Sequence, residues 1–596
     1  EEPDMKQLLE EISSHVKKAF EDAGYDGELG RVTVSNRPDL CEYQCNGAMA
    51  GAKRYHKAPI AMAQDVAARL EGCSVFEKAE AVAPGFLNLN LTNEFIADYV
   101  IRMSKADDFG IEKPKTSVMI VDYGGPNVAK PLHVGHLRSA VIGESIKRIL
   151  HFMGNETYGD IHMGDWGLQM GLVIYELSLR QPDLPYFDET FEGEYPAEAP
   201  FTVSDLEEIY PAASGKSKND AEYKARAMEA TLKLQEGHRG YRALWHKIMD
   251  VSIADMKRNY DRLDVNFELW NGESTVQDII PGMVQDMKDG GYAYNSDGAL
   301  VVDVKEETDT KEMPPCIIIK SDGASLYNTT DLATIKDRMA RYSPSKIVYL
   351  TDKRQDLYFE QVFRCARKTG LAPDDCELIH ISFGTVNGKD GSPYKTRAGG
   401  VPRLSDLIDE IEESMLAKIK ENAAGKGETV SDAEVLDRAR KVGLAAIKYG
   451  DLSNQASKDY VFDVDRFTSF EGDTGPYILY TCVRINSILR KAAEQGIDTE
   501  DTVILPPVNA SHKALMHAIS GFAAEITSAY NEYAPHRICG YVYALSNAFN
   551  TFYHENHILT EEDEALRGSF IGLMKLTGRI LKVCTDMLGF EIPERM

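Results

Sequence analysis

Apolar positions fall into three regimes along the chain. Near the start, Met5, Leu8, Leu9, Ile12, Val16 and Phe20 recur at steps of three and four, one face of a helix. Strand-like runs follow at 30–34 and 85–91, with a second helical pattern at 60–70 between them. This reads as a small α/β domain ending near Lys113–Pro114, a unit that by itself says nothing of function. From Ser117 to Tyr123 the character changes to a continuous apolar run, as expected of a strand covered on both faces in a parallel sheet. A turn-rich stretch leads into a long helix whose apolar face is Leu137, Val141, Ile142, Ile146, Ile149, Leu150 and Met153, with Gly154 set to cap its C-terminus. Strand, glycine-rich turn and helix together form the phosphate-binding half of a doubly wound fold. Further strands are expected at 299–304, 316–320, 346–350 and 377–381, with a helix over 355–368, an alternation that supports a parallel α/β sheet. The stretch 180–219 is acidic, proline-bearing and weakly patterned, and reads as an insertion outside the sheet. From Leu404 onward the spacing is helical throughout, as in Ile408, Ile411, Met415 and Ile419, and later Phe570, Leu573, Leu576, Ile580 and Val583. No internal repeat is evident. The expected division is 1–113, 114–403 and 404–596.

Composition narrows the class. At roughly 150 residues per domain, a chain of 596 residues holds two to four units. A hydrophobic fraction of 43% and a charged fraction of 27% suit a globular protein that needs neither disulfides nor metals for its core. The formal net charge of -28 repels nucleic acid at long range, which argues against a DNA-coating protein but leaves room for a local basic face on RNA. Nine scattered cysteines without a Cys-x-x-Cys pair argue for reduced thiols and against a zinc site. The charged, periodic N-terminal segment lacks the apolar core of a signal peptide, and no run approaches the ~18 apolar residues of a membrane span. The expectation is a cytoplasmic protein with no membrane and no DNA partner.

The chemistry concentrates in Pro126-Asn127-Val128-Ala129-Lys130-Pro131-Leu132-His133-Val134-Gly135-His136. Its His-x-Gly-His core, between a buried strand and a long helix, resembles the HIGH motif of class I aminoacyl-tRNA synthetases. Downstream, Lys389-Asp390-Gly391-Ser392-Pro393-Tyr394-Lys395-Thr396-Arg397 stands where that class carries its lysine-rich KMSKS loop, and here only Tyr-Lys-Thr-Arg remains. A degenerate second motif behind PNVAKPLHVGHLRS is similar to the arginyl-tRNA synthetase family in particular. Gly164-Asp165-Trp166-Gly167-x-Gln169, Lys320-Ser321-Asp322-Gly323, Tyr327-x-x-x-Asp331, Glu471-Gly472-Asp473-Thr474-Gly475-Pro476-Tyr477, Phe549-Asn550-x-Phe552-Tyr553 and the terminal Pro593-Glu594-Arg595-Met596 agree with it in order along the chain.

The resemblance implies a Rossmann-like catalytic domain, an N-terminal domain reaching the outer corner of tRNA, and a helical anticodon-binding domain. It implies ATP with Mg2+ as substrate, L-arginine and tRNA(Arg) as partners, no resident metal and a monomer. A helix N-terminus offers bare N–H groups to phosphates. His133 and His136 can donate to charge building on the α-phosphate. Pro131 and Gly135 complete that end of the ATP site, and Lys395, Thr396 and Arg397 face the leaving pyrophosphate. Lys130 shares the work of the missing loop lysine. For arginine the family pattern maps onto Asp122, Gly125, Asn127, Tyr327, Asp331 and Gln355. Two acids and a phenol suit a planar guanidinium with five donors, whereas Asn127 and Gln355 suit the α-amino and carboxylate groups. The family commonly has serine where this chain has Gly125, so a hydroxyl contact is lost there. In the helical region Tyr477, Tyr480 and Arg484 lie at helical spacing and are candidates for stacking on unpaired anticodon bases, and Lys441, Lys448, Arg484 and Arg490 for phosphate contacts.

Two other readings compete. A class I synthetase for glutamate would want basic pocket residues in place of Asp122 and Asp331, and one for cysteine would want zinc ligands. A non-acylating RNA-binding relative would have no need of His133, His136, Asp331 and Gln355.

Overall fold

In the computed structural model the chain is described over residues 5–321, 323, 326–395 and 401–596. Its centre is a four-stranded parallel sheet in the order Glu377–Phe383, Lys346–Asp352, Val118–Asp122, Glu156–Asp160. The apolar run thus lies inside the sheet, with Asp122 opposite Tyr349 on one side and Asp160 on the other. Its side chains alternate between two cores. Met119 and Val121 pack with Leu137 and Val141 of the long helix Gly135–Phe152. Ile120 packs with Leu332, Ile335 and Phe359 of the helices Tyr327–Tyr342 and Asp356–Lys368. Helices on both faces explain why this strand reads as uninterrupted hydrophobicity. Strand order reverses between Val118–Asp122 and Lys346–Asp352, and such a switch point opens a crevice at the carboxyl ends of the strands. Gly154, at φ 96°, closes the long helix as its pattern requires.

Two expectations are corrected here. The strands Ala299–Val302 and Cys316–Ile319 belong to a separate three-stranded antiparallel sheet with Ala293–Ser296. The links 297–298 and 303–315 carry no helix, and the strands turn back on one another as antiparallel neighbours. The place in the parallel sheet is taken by Glu156–Asp160, sequence ETYGD, an edge strand whose polar residues and glycine disguise it. The weakly patterned stretch is also more ordered than its composition suggests. It contains the helix Val203–Asn219, begun by a reciprocal cap between Thr202 and Asp205 and anchored through Leu206, Ile209 and Ala213.

The N-terminal part is an antiparallel sheet, Val32–Val34, Tyr43–Cys45, Phe86–Leu91, Phe76–Val82, packed by the helices Leu8–Asp22 and Pro59–Arg69. Beyond Leu404, the helices Leu404–Gly425, Asp432–Leu452, Gly475–Glu494, Ala510–Ser520, Phe522–Glu532, Pro535–Glu555 and Glu564–Leu588 form a bundle. Its one strand, Tyr460–Val461, pairs in parallel with Val386–Asn387. The bundle grips the long helix through buried polar contacts. Ser145 Oγ donates to the Met587 carbonyl at 2.9 Å, and Arg138 meets Asp451 at 3.3 Å. Lys448 is fully buried and donates to the carbonyls of Asp264 and Gly589, at 3.1 and 2.7 Å. It is therefore a structural lysine and not a phosphate contact on an open surface.

Candidate functional site

The His133-Val134-Gly135-His136 segment lies at the start of the helix Gly135–Phe152, next in chain to the central strand. Two backbone bonds fix its rings. The amide of His133 donates to His136 Nδ1, and the amide of Gly135 donates to His133 Nδ1, both at 3.0 Å. A nitrogen that accepts cannot carry a proton, so in each neutral ring the proton resides on Nε2. Both histidines are thereby set as Nε2–H donors. Burial lowers the pKa of His133, aided by the charge of Lys130. Burial, then the neighbouring His133, pushes His136 down to about 3. The pair is neutral at neutral pH. Gly135 is required by this stacking, since a Cβ there would sit 2.7 Å from His133 Cε1.

Lys130 points its ammonium over the Tyr210 ring, 4.5 Å from the centroid, so the insertion helix supplies part of the site. Lys130, Asn127, Gln169, Tyr210 and Tyr327 border one cleft of about 650 Å3 that also draws on Lys218 and Lys224. Pro131 lies in a neighbouring crevice with Arg258 and Arg403. The second motif approaches from the far side of the switch point. Arg138, one turn into the long helix, donates to the carbonyls of Gly384 and Lys458 at 3.2 and 2.7 Å and so ties the two motifs together. Lys395 is exposed at the end of the described part of that loop, and Thr396 and Arg397 lie outside the described residues. The chain then returns beside the first motif, where the Val134 amide donates to Pro402 O at 3.0 Å and the Leu404 amide to Leu132 O at 2.9 Å.

The amino-acid end is built from charge. Asp122 does not face an open pocket unpaired. Its Oδ2 accepts from Arg338 at 2.7 Å, and Asp160 Oδ2 accepts from the same nitrogen at 3.0 Å. Burial pushes the Asp122 carboxyl up against the pull of Arg338. Asp331 accepts a hydrogen bond from Tyr358, and its other oxygen lies 3.4 Å from His162 Nε2. Burial opposes a charge on His162. The hydrogen bond to Asp331 and the fields of Asp122 and Asp331 overcome it and raise the pKa to about 9. Glu273 sits nearby, raised to about 7 chiefly by burial. Tyr327, four residues before Asp331, is 67% exposed and available to a ligand. Gln355 is exposed at the end of the turn Lys353–Gln355, just past the sheet's carboxyl edge. Asn127 pairs in backbone register with Gly164, which has no room for a side chain because a Cβ would lie 2.2 Å from Asn127 Oδ1. Gly125 has φ 54°, a left-handed conformation in which serine is strained, so this backbone is shaped for glycine.

His162, Asp160, Arg338, Glu273 and Tyr358 escaped the sequence reading. The available signal was a charged residue on an apolar face. Arg338 falls three positions after Ile335 and six after Leu332, spacing that a core residue would take.

In the helical part, Tyr477, Tyr480 and Arg484 lie together on the helix Gly475–Glu494. Arg484 lies over two rings, Tyr480 at 4.7 Å and Tyr553 at 4.9 Å, and donates to Asn550 Oδ1 at 2.8 Å. Tyr477 donates to Asn547 at 2.6 Å and is half-buried. Tyr480 presents an open face at 39% exposure. Lys441 is paired with Asp437 and Glu591. Arg490 donates to Glu594 O at 3.4 Å.

Three family models match the chain in succession. They are the N-terminal domain of arginyl-tRNA synthetases at 6–91, the catalytic domain of class I (R) tRNA synthetases at 100–464, and the DALR anticodon-binding domain at 478–596. The chain is 60% identical to an arginine–tRNA ligase of Agathobacter rectalis, over 99% of this chain and 100% of that one. It is 52% identical to an arginine–tRNA ligase of Alkaliphilus oremlandii, again over 99% and 100%. In fold it is similar to the arginyl-tRNA synthetases of Plasmodium falciparum (TM-score 0.81, 24% identity, 100% of both chains) and Thermus thermophilus (TM-score 0.77, 22% identity, 99% and 100%).

Proposed function

The chain belongs to the arginyl-tRNA synthetase family, and on that premise we propose that it activates L-arginine with ATP and transfers it to the 3′ end of tRNA(Arg). The carrying observation is identity of 60% along essentially the whole length of an arginine–tRNA ligase. In the first step the arginine carboxylate attacks the α-phosphate of ATP-Mg2+, giving arginyl-adenylate and pyrophosphate. In the second, the terminal ribose hydroxyl of tRNA takes the arginyl group and AMP leaves. No protein nucleophile is needed, because positioning and electrostatics suffice.

The neutral Nε2–H donors of His133 and His136 stabilise charge on the α-phosphate, Gly135 and Pro131 lie against the nucleotide, and Lys130 and Lys395, with Thr396 and Arg397, draw off pyrophosphate. Asp331 and Tyr327 hold the guanidinium, with Asp122 acting through its pair with Arg338. Asn127 and Gln355 hold the α-amino and carboxylate groups, and the backbone at Gly125 borders them. Tyr477, Tyr480 and Arg484 meet the anticodon arm, for which a guanidinium over two rings with one face open is a suitable stacking platform. Segments 1–113, 114–403 and 404–596 divide the labour between the tRNA corner, the chemistry and the anticodon. The protein works as a cytoplasmic monomer. ATP–pyrophosphate exchange with each amino acid, with and without tRNA, tests the reading. Exchange with arginine alone among the twenty is expected, and exchange driven by another amino acid, or none even with tRNA present, overturns it.

A further inference from the structure

Five acids and two cations converge behind the proposed arginine site. Asp122 and Asp160 stand opposite one another on neighbouring parallel strands and share Arg338. Asp331 comes from the helix Tyr327–Tyr342 and faces His162, with Tyr358 of the helix Asp356–Lys368 on its other oxygen. Glu273 approaches from the 3₁₀ turn Glu273–Ile279, and Asp165 is held by Ser274, whose backbone and hydroxyl donate at 2.9 and 2.6 Å. His162 is held at φ 44°, and its Nδ1 is buried without a hydrogen-bond partner.

A non-glycine residue in the left-handed region and a buried polar atom without a partner both cost free energy, and a structure keeps such features where something else depends on them. Here the dependence is charge. The bonded carboxylates Asp122, Asp160 and Asp331 exceed Arg338 by two charges, and a protonated His162 reduces that excess to one. A guanidinium arriving at Asp331 does the same work. Arg338 lies on Asp122 and Asp160, so the remaining excess belongs to that pair, and a guanidinium added at Asp331 beside a protonated His162 would set two cations against that one carboxylate.

We propose that His162 is a specificity-determining stand-in for the substrate: as imidazolium it neutralises Asp331 in the empty pocket, and arginine binding drives one proton from its Nδ1 into solvent. The proton balance is complete in this step. Nε2–H stays on Asp331, Nδ1 becomes a bare acceptor, the orphaned donor disappears, and the proton passes to buffer. The inference rests on the arginine reading above and adds to it a linkage between arginine and pH. The raised pKa of about 9 agrees, since it means that the ring is charged at neutral pH until something takes its place.

Calorimetric titration of L-arginine into the full chain at pH 7.5, repeated in buffers of different ionisation enthalpy, counts the protons directly. Close to one proton released per arginine is expected. The dissociation constant should fall about tenfold per pH unit between pH 7 and 8.5, where the substrate's own ammonium stays charged. In His162→Gln the release should vanish and the affinity become flat with pH. In Glu273→Gln the release should persist. No release in the wild type overturns the proposal, as does release that survives His162→Gln or disappears only in Glu273→Gln. Should His162→Gln fail to fold, the wild-type proton count and pH slope decide alone. Absence of any arginine heat from folded wild type, with or without tRNA, overturns the functional reading itself, a result distinct from binding without proton release.

Discussion

Two histidine environments, one at the start of the long helix and one behind the proposed arginine site, respond to burial in opposite ways. His136 at the helix start is half-buried against the His133 amide and imidazole, with Lys130 nearby, and is driven down to about 3. His162 is largely enclosed too, yet Asp331 and Asp122 hold its proton to about 9. Desolvation opposes the charge in both, so the difference lies in the neighbours. The phosphate end needs donors that cost no reorganisation and make no permanent ion pair with an anionic leaving group. Neutral imidazoles held by backbone amides supply that. The amino-acid end must recognise a cation, and it does so with an excess of acid that stays partly neutralised by Arg338 and His162 until the substrate arrives. A single strand–turn–helix framework supports both because its turn separates them. Val118–Asp122 ends in an acid, and after a twelve-residue turn the next helix begins at Gly135 with His133 and His136 fixed at its start.

The largest effect should come from removing the acid that the substrate and His162 share. Asp331→Asn strands a buried cation, and loss of one member of a buried pair costs ~3–5 kcal/mol. The specificity constant for arginine should drop by two or more orders of magnitude, while the KM for ATP changes little. Equal loss for both substrates in pyrophosphate exchange would place Asp331 in the scaffold and not in the pocket. Next in size is the phosphate end. Removing one preorganised donor typically costs ~10²–10³ in rate, so His136→Ala should slow adenylate formation by that factor and spare arginine affinity. A matching rise in the arginine dissociation constant would break the division between the two ends.

A smaller effect belongs to a region outside the comparison, which serves as its control. Tyr480→Ala opens the stack over Arg484, and base–aromatic stacking is worth ~1–3 kcal/mol. The KM for tRNA should rise roughly five- to a hundredfold, with pyrophosphate exchange measured at saturating tRNA unchanged. A loss of exchange at saturating tRNA would mean that the bundle affects the chemistry and not only the docking of tRNA.

How much of this was legible in the residues follows the same divide. The phosphate end is local. Strand, turn, His133, Gly135, His136 and helix are contiguous, each is set by its own spacing, and the long helix with its Gly154 terminus forms as the periodicity dictates. The amino-acid end is not local. Asp122, Asp160, His162, Glu273, Asp331 and Arg338 come from four separate stretches of chain, and their pairing depends on sheet order, which spacing does not reveal. The edge strand that carries Asp160 was missed because edge strands tolerate polar residues. With it went the partner that makes Arg338 a shared counter-ion. The reassignment of 299–302 and 316–319 to an antiparallel sheet has the same root, since a short apolar run names a strand and not its neighbours. Lys448 shows the converse error: a lysine on a helix reads as surface until the packing of the C-terminal residues over it is known.

The smallest predicted effect is an absence, and it separates the two ends most directly. With His136 depressed to about 3, its ring is neutral throughout the range in which an ordinary imidazole titrates. Lowering the pH from 8 to 6 should therefore leave its contribution to activation unaltered. The His136→Asn variant keeps an N–H donor near the same place and has no titrating group. The ratio of wild-type to variant activation rates, at saturating arginine and ATP, should stay constant across that range. Over the same pH interval the KM for arginine should climb as pH falls, because a protonated His162 competes for Asp331. If the ratio instead drifts toward one below pH 7, His136 is gaining a proton on the way to its chemistry, and the contrast between a neutral phosphate end and a charged amino-acid end fails at the point where it is sharpest.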